Sequence, residues 1–582
     1  MIDRSIMDSC ASWSSSSPSS SETLLGLLLR SKLSPRSCGS GEYAHELLRE
    51  CAARELNAFL WISLIAVTAY LVGKVVRLAR LWIGGSRIPG PPSSSFYGHC
   101  KLISRGNLVD VLSILHEKYG AVVKLWLGPT QLLVSMKDEG LVKEMLSKAE
   151  DKLPIVGRTF QLAFGRSSLF MPCFDKVQKR RELLEAELNK RLHEKAGVVS
   201  TKVVDSIMEK MRLLMAKGSV DSNVLSQHMA FTVLGATVFG EAFLGWSEVT
   251  AYEELLMSIS KDAYFWASYN VTPFWRREFW RYQGMCTKLK YLTQKFVQLC
   301  EKNYERCCHL DEKPKIDPTV GSSLAWSPAL MPDNLVSKEL NSQFNPSEEP
   351  FANIMGVMFH GCLTTASLIG DIFLRLASNQ ELQDQIYSEI VTARRLSQKE
   401  DYLHLDEMVL LFATIYESAR LLPASPLLQR CSLNADLHLK SGTTIPAGAV
   451  IVVPVQLVQM EGLSWKSDSS EFNPHRFLSR AEKGSLSAQL SGAAEDGVSK
   501  KSSNVLDDRR NHAAYLPFGY GTRACVGQKF VIHGLATLFA SMLEHYKVRL
   551  KQGCEGDLKP AHSKRALERL PSLEIVFVKR NI

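Results

Sequence analysis

The residue whose type and surroundings most clearly suggest chemistry is Cys525. It lies in a segment, residues 517–527, that reads Pro-Phe-Gly-Tyr-Gly-Thr-Arg-Ala-Cys-Val-Gly and satisfies the pattern Phe-x-x-Gly-x-Arg-x-Cys-x-Gly at every fixed position. The glycines from Gly519 onward also fit a dinucleotide-binding loop. However, no alternating apolar strand precedes them, and Glu544 is the only acid near the place where such a loop requires one. We therefore interpret the segment as one that presents the Cys525 side chain.

This segment resembles the haem-binding loop of the cytochrome P-450 family, the haem-thiolate monooxygenases. The resemblance implies a haem b group whose iron takes the Cys525 thiolate as axial ligand, a donor that favours O–O cleavage. It also implies that Gly521 and Gly527 let the backbone pass close to the porphyrin. Phe518 would shield one face, and Arg523 would pair with a haem propionate.

Two further segments support the resemblance. Glu417 and Arg420 are three residues apart, so they share one face of a predicted helix. Arg476 lies in Phe-Asn-Pro-His-Arg-Phe, which resembles the arginine-bearing meander of the family and comes between that helix and the cysteine loop. The resemblance implies a buried network of Glu417, Arg420 and Arg476, which is tolerable only if all three charges are paired.

The oxygen-activation helix of the family has its counterpart in the run His-Gly-Cys-Leu-Thr-Thr, residues 360–365, and departs from the usual pattern. Gly361 and Thr364 are retained, which predicts a groove for dioxygen and a hydroxyl to bind it, but Leu363 stands where the family has an acid. Protons could come through Thr364, Thr365 and water, or from His360 if that side chain faces the pocket. His360 could equally be a hydrogen-bonded histidine packed in the helix.

Other site residues follow from the resemblance alone. Arg430 is a second candidate propionate partner, and the usual Trp-x-x-x-Arg is missing around Phe174. The basic residues Lys179, Arg180 and Arg181 could reach a propionate, form a solvated face or dock an acidic electron donor. The candidate substrate pocket is apolar and comprises Phe359, His360, Thr364, Ala424 and Leu427.

The N-terminal part predicts a membrane anchor. Residues 57–73 form 17 residues without a charge, and residues 74–105 carry six Lys or Arg and no acid. Because the basic flank follows the span, the positive-inside rule places the catalytic part in the cytosol. We therefore expect a single-pass protein of the endoplasmic reticulum membrane. The Ser-rich leader suggests a plastid or other organelle as the alternative.

Composition sets the remaining limits. The formal net charge of +9 is concentrated beside the apolar span rather than along a reading face, which argues against nucleic-acid binding. Thirteen cysteines without a CxxC pair argue against a disulfide framework or a four-thiolate zinc site. The adjacent Cys307, Cys308 and His309 are not expected to bind a metal. The aromatic and basic run at 274–280 is interpreted as half-buried packing, with a membrane or channel contact as the alternative.

These patterns predict an α+β, mostly α-helical chain with small β-sheets and one N-terminal transmembrane helix, and the resemblance implies the cytochrome P-450 fold. The expected order is a disordered leader (1–56), the span (57–73), a basic and proline-rich hinge (74–92) and a haem-thiolate domain (93–582) with loop insertions near 311–350 and 480–511. Helices are expected at 351–377, 379–396 and 406–421, and short strands at 436–439 and 450–455.

The resemblance implies a monooxygenase that inserts one oxygen atom from O2 into a small apolar substrate. Electrons would come from NADPH through a separate cytochrome P-450 reductase, so NADPH would act only indirectly. Leu363 motivates one alternative, a haem-thiolate isomerase or dehydratase that needs no external electrons. A haem-binding sensor without turnover is the non-enzyme alternative.

Overall fold

The structure is a computed structural model of the 582-residue chain. It describes residues 41–92, 96–104, 108–151, 163–165, 167, 169–171, 173–175, 177–193, 199–216, 218–267, 274–309, 324, 330, 349–397, 407–432, 435–461, 465, 468–478, 515–551 and 573–580. The chain divides into two compact units, Met1–Arg80 and Leu81–Ile582. The predicted insertion at 480–511, nearly all of the one at 311–350 and the first 40 residues lie outside the described residues.

The N-terminal helix, α1 (Gly41–Ser86), is longer than the apolar span predicts. The helix begins inside the expected leader, and Lys74, Arg77 and Arg80 continue it past the expected end of the span, so the hinge is confined to residues 87–92. Basic residues are good helix formers, and the helix ends shortly before Pro89, the first residue that cannot continue it. The stretch Cys51–Ser86 is apolar and long enough to cross a membrane, and none of its most apolar window is buried.

The remaining described helices are mostly long and amphipathic. They are α2 (Cys100–Ser104), α3 (Leu108–Tyr119), α4 (Glu139–Lys148), α5 (Gln178–His193), α6 (Thr201–Met215), α7 (Ser222–Phe239), α8 (Val249–Ala267), α9 (Arg277–His309), α10 (Glu349–Ser378), α11 (Gln380–Ser397), α12 (Val409–Leu421), α13 (Val455–Glu461) and α14 (Gln528–His545). The three helices expected from the sequence correspond to α10, α11 and α12 within a few residues. The adjacent cysteines at 307 and 308 lie in α9, but their side chains are outside the described ones.

The strands form three small sheets. The largest has the order β1 (Val122–Leu127), β2 (Gln131–Met136), β7 (Val450–Pro454) and β4 (Leu427–Cys431). Its β2–β7 pair is parallel and the others are antiparallel, with Arg430 opposite Ile451. A second sheet contains β3 (Val220–Asp221), β9 (Glu574–Lys579) and β8 (Tyr546–Leu550), and a hairpin joins β5 (Leu437–His438) to β6 (Thr444–Ile445). The mostly helical fold with small sheets is confirmed.

Helix α10 is the structural centre of the larger unit. Its apolar run Phe351–Ser378 is also long enough to span a membrane, but most of it is buried in the core. One side packs along α7 and the other against α12 and β8, so the helix contributes to two apolar clusters. A helix that is apolar on nearly every side is explained by burial on nearly every side. Polar residues on α10 are therefore the exceptions that require an explanation.

Candidate functional site

The cysteine loop is a tight turn that exposes one sulfur. Gly519 and Gly521 both have positive φ, +76° and +73°, and a short 3-10 helix, Gly521–Arg523, follows. The backbone N–H of Cys525 donates to the Phe518 carbonyl at 2.7 Å, which closes the loop just before α14 begins at Gln528. The Cys525 side chain is exposed, whereas Phe518 packs against the main apolar cluster. The loop thus holds Phe518 inward and presents the thiol.

The two glycines predicted to approach a porphyrin are required for different reasons. A Cβ on Gly521 would lie 2.5 Å from the Leu146 carbonyl oxygen of α4, so the protein backbone itself demands glycine there. A Cβ on Gly527 would meet nothing closer than 3.9 Å, at Leu188 and Val531. Its φ of −93° suits any residue. The fold of the chain therefore explains Gly521 and leaves room beside Gly527.

Arg523 is held in place by main-chain carbonyls. Its Nε donates to the Glu150 carbonyl at 2.8 Å, and its guanidinium lies 5.1 Å from the centre of the Phe174 ring. Phe174 is the residue that replaces the tryptophan expected from the family pattern. Its ring supports the guanidinium by a cation–π contact but offers no N–H donor of its own.

Arg523, Arg430 and Arg181 bring three positive charges together. Burial, followed by repulsion from Arg523 and Arg181, lowers the pKa of Arg430 to about 10. Burial and repulsion from Arg181 likewise lower the pKa of Arg523 to about 10, against a smaller opposing attraction from Asp151. Arginine normally stays charged in proteins, and burial is the main cause of these two shifts, with repulsion between the guanidinium groups second.

Arg181 also identifies which basic residue of α5 reaches the cysteine loop. Its guanidinium donates to the Ala524 carbonyl at 2.5 Å. Burial lowers its pKa, and the adjacent Cys525 partly offsets that effect. The neighbouring Arg180 is buried and Lys179 is exposed. The buried Nε atoms of Arg181 and Arg430 make no hydrogen bond to any described residue.

The middle of α10 presents one predicted hydroxyl and hides the other. Thr364 is exposed, and its hydroxyl donates to the His360 carbonyl at 2.8 Å. Thr365 is 6% exposed because consecutive helical residues are about 100° apart, and its part in a proton route stays a prediction. Gly361 lies close to α7, since a Cβ there would lie 2.8 Å from Leu234. The dioxygen groove beside Gly361 also stays a prediction.

The candidate pocket residues are not equally placed. Phe359 is 1% exposed and packs edge-on to Phe164, so it supports the wall and presents no side-chain surface to a substrate. His360 is half-buried, with its ring centre 5.2 Å from that of Phe170. Leu427 is half-buried at the start of β4, and Ala424 is exposed in the turn before it.

The predicted charge network is brought together in full. Glu417 and Arg420 are both 0% exposed, and the Arg420 Nε donates to Glu417 at 2.7 Å. The Arg476 Nε donates to the other Glu417 oxygen at 2.9 Å, and the Asn473 N–H donates to the same atom at 2.9 Å. The Arg420 guanidinium also donates to the Gln459 carbonyl. The fixed charges are therefore saturated, which is the condition for burying them.

Sequence reasoning left Arg181 undecided among three adjacent candidates and did not consider Ser367. Which of the three faces the cysteine loop depends on how α5 is rotated about its axis, and the sequence does not determine that rotation. Ser367 was not considered, yet it is exposed at the same face of α10 as Thr364. The spacing i, i+3 was the signal that could have found it.

The arrangement fits a haem group on observations of the chain itself. The exposed Cys525 thiol lies close to Arg181, which is one of three arginines whose mutual repulsion two carboxylate groups, such as haem propionates, would relieve. Val526, next to the thiol, and Leu363, next to Thr364, pack against the same apolar cluster. The cysteine loop and α10 therefore both contribute to this cluster.

Comparison with known proteins agrees with this geometry. The family model described as cytochrome P450 matches residues 88–571. Cytochrome P450 4X1 of Mus musculus is 24% identical over 512 residues, which cover 85% of this chain and 92% of the relative. Cytochrome P450 78A5 of Arabidopsis thaliana is 24% identical over 552 residues, 90% of this chain and 96% of the relative. Cytochrome P450 4F11 of Homo sapiens is 23% identical over 515 residues, which cover 84% of this chain and 90% of the relative.

Proposed function

The chain belongs to the cytochrome P450 family of haem-thiolate monooxygenases, and on that basis we propose that it inserts one oxygen atom from O2 into a small apolar substrate. Its electrons come from NADPH through a separate reductase, and its anchor is α1 in the endoplasmic reticulum membrane. The observation that carries the proposal is the exposed Cys525 thiol beside the repelling arginines Arg181, Arg430 and Arg523.

The chemistry of the side chains indicates which part of the haem each residue would bind. Cys525 is the thiolate ligand, and Arg430, Arg523 and Arg181 receive the two propionates. The haem, when bound, supplies the iron chemistry that activates dioxygen. Gly527 leaves the space beside the thiolate, where a side chain would otherwise stand. Arg181 lies close enough to Cys525 for the two groups to interact electrostatically.

The side chains proposed to bind the substrate are apolar or carry a hydroxyl group. Leu427 borders the pocket from β4, Leu363 lines α10 at its half-buried side, and Thr364 supplies a hydroxyl that can donate or accept. Because no charged side chain is proposed to face the substrate, a neutral apolar compound fits best. The Thr364 hydroxyl, held by the His360 carbonyl, is proposed to orient the reacting oxygen.

The test is spectroscopic and catalytic. Purified protein should give the carbon-monoxide difference spectrum of a haem thiolate, and a spectral binding screen of apolar compounds should identify a ligand. Reconstitution with a P450 reductase and NADPH should then convert that ligand to a product carrying one atom of labelled dioxygen. A spectrum without a thiolate signature would contradict the haem assignment. A ligand shift without any oxidised product would instead indicate a haem-binding sensor.

A second candidate function is favoured by one residue, the half-buried Leu363 in place of an acid. A haem-thiolate isomerase or dehydratase rearranges an already oxygenated substrate and needs no relay of protons to dioxygen. Such an enzyme would turn over hydroperoxide substrates without NADPH or reductase. Product formation that depends strictly on NADPH would exclude this function.

The location of the protein is proposed from α1. Its exposed apolar side chains and the basic residues that follow favour a single-pass anchor with the larger unit in the cytosol. Expression of a tagged chain followed by fractionation and protease protection tests this placement. Import into plastids with removal of the Ser-rich leader would support the organelle alternative.

A further inference from the structure

Helix α10 carries a line of polar groups through the core, and the proposed function uses only one of them, Thr364. Among residues 351–377, all of which the structure describes, only Thr364 and Ser367 are exposed. Both side chains are hydroxyls, and both lie in the middle of a helix that is otherwise packed between α7 and α12. Asp371 follows one turn later and is 0% exposed.

These three residues share one helix face. Thr364, Ser367 and Asp371 are spaced i, i+3 and i+7, so they stack along the axis with steps of about 4.5 and 6 Å. Helical side chains lean toward the N-terminus, which directs the Asp371 carboxyl toward the turn that carries Ser367. A bridging water molecule between successive side chains is part of the proposal.

The Asp371 carboxyl is incompletely paired. The Arg375 Nε lies 3.4 Å from one of its oxygens, yet neither oxygen accepts a well-formed hydrogen bond from the described residues. Burial raises its pKa to about 6, against the opposing effects of Arg375 and the nearby Ser418, and Glu417 raises it further. The group therefore changes protonation close to neutral pH, where a proton donor is most effective.

The surroundings leave no better donor on this face. Of the charged groups that face Asp371, Arg375 cannot act as an acid near neutral pH, and Glu417 is fully engaged by Arg420 and Arg476. From α7 the approaching side chain is Ser226, which lies beside Gly370 and is uncharged.

We propose that Asp371 and Ser367 form, with Thr364, a proton path along α10 that takes the place of the acid missing at Leu363. The inference rests on the proposed monooxygenase function. Per turnover the redox partner supplies two electrons and the path supplies two protons. One oxygen atom enters the substrate and the other leaves as water with those protons. Asp371 releases one proton through Ser367, and water at the exposed hydroxyls supplies the second proton and reprotonates Asp371 after the turnover.

Two substitutions test the path without enlarging any side chain. Asp371→Asn keeps the shape but removes the acid, and Ser367→Ala removes the hydroxyl from an exposed position. In the reconstituted enzyme each should lower product formed per NADPH by about 100-fold and raise the release of peroxide, since a positioned acid typically contributes at least ~10²-fold to the rate. Ser367→Thr, which restores a hydroxyl, should recover most of the coupling. Glu381→Gln and Ser388→Ala on the exposed face of α11 are matched controls and should leave coupling unchanged.

A measurement without turnover completes the test. Infrared spectra of the purified protein between pH 5 and 8 should contain a protonated carboxyl band that titrates near neutral pH and is missing in Asp371→Asn. Asp371 ionised over this whole range would overturn the proposal, as would coupling in Asp371→Asn or Ser367→Ala equal to that of the wild type. A wild-type protein that forms no product with NADPH would instead contradict the proposed function, while the infrared result would still report on Asp371.

Discussion

The guanidinium of Arg523 lies close enough to that of Arg430 to lower further a pKa that burial has already reduced, to about 10. Two like charges held together in the core destabilise the chain unless an anion joins them. The two arginine charges thus lower the stability of the haem-free chain but favour the binding of a ligand with two carboxylates. Both the free energy of unfolding and the affinity for haem can be measured.

Arg430→Gln should move the two properties in opposite directions. Removing one of three repelling charges should leave the free energy of unfolding of the haem-free protein unchanged or higher. Losing a charge-assisted hydrogen bond of about 1.5–3 kcal/mol should weaken haem binding by roughly 10- to 100-fold. Chemical denaturation and haem titration provide the two measurements. The exposed Arg549→Gln is the matched control, and an unchanged haem affinity in Arg430→Gln would contradict the propionate assignment.

Glu417→Gln should lower the stability of the folded protein and not only its turnover. It leaves the buried Arg420 and the nearly buried Arg476 without their shared anion, which is expected to lower the free energy of unfolding by about 3–5 kcal/mol. Haem content after purification should fall in parallel. Glu461→Gln breaks an ion pair with Lys137 at the surface and should cost at most about 1 kcal/mol. Equal effects of the two variants would argue against the network as the determinant of the fold.

Cys525→Ser should remove the thiolate signature in the carbon-monoxide difference spectrum and abolish NADPH-dependent product formation. The side chain is exposed, so the thermal unfolding midpoint of the haem-free protein should change little. Cys100→Ser is the control, because Cys100 is also exposed and lies in α2. Retention of the thiolate spectrum in Cys525→Ser would assign the iron ligand to another residue.

Asp371 should make stability depend on pH in a defined direction. Its pKa is raised from an ordinary 3.8 to about 6, so the folded protein keeps a proton that the unfolded chain has released. The free energy of unfolding therefore falls as pH rises from about 4 to about 6 and stays lower above that range. Across this pH range the free energy of unfolding of the wild type should fall by up to about 3 kcal/mol relative to that of Asp371→Asn. Urea denaturation of both proteins at several pH values measures it, and a constant difference between them would contradict the assigned pKa.

The sequence predicted best what depends on local spacing. Glu417 and Arg420 meet because three residues separate them on one helix, and the loop around Cys525 closes through its own backbone. The approach of Arg476 from a distant segment could be expected only from the family resemblance. The fold class followed from long apolar periodic segments, which are the most reliable signal in a single sequence.

What the sequence left open depends on tertiary packing. Arg180 and Arg181 are adjacent, so their roles are set by the rotation of α5 against the cysteine loop. The space at Gly361 is taken by Leu234 of α7, a neighbour 127 positions earlier that no local pattern indicates. The basic residues after the apolar span report on membrane orientation and carry no helix-stop signal, which is why the predicted hinge proved to be partly helical.

The contrast between Gly521 and Gly527 has a consequence for how this loop can evolve. At position 521 the left-handed backbone and the contact with the Leu146 carbonyl forbid any other residue, whatever happens to catalysis. At position 527 the polypeptide imposes no such restriction, so a requirement for glycine there would come from the cofactor. A descendant protein that no longer bound haem could accept other residues in place of Gly527 but would still require Gly521.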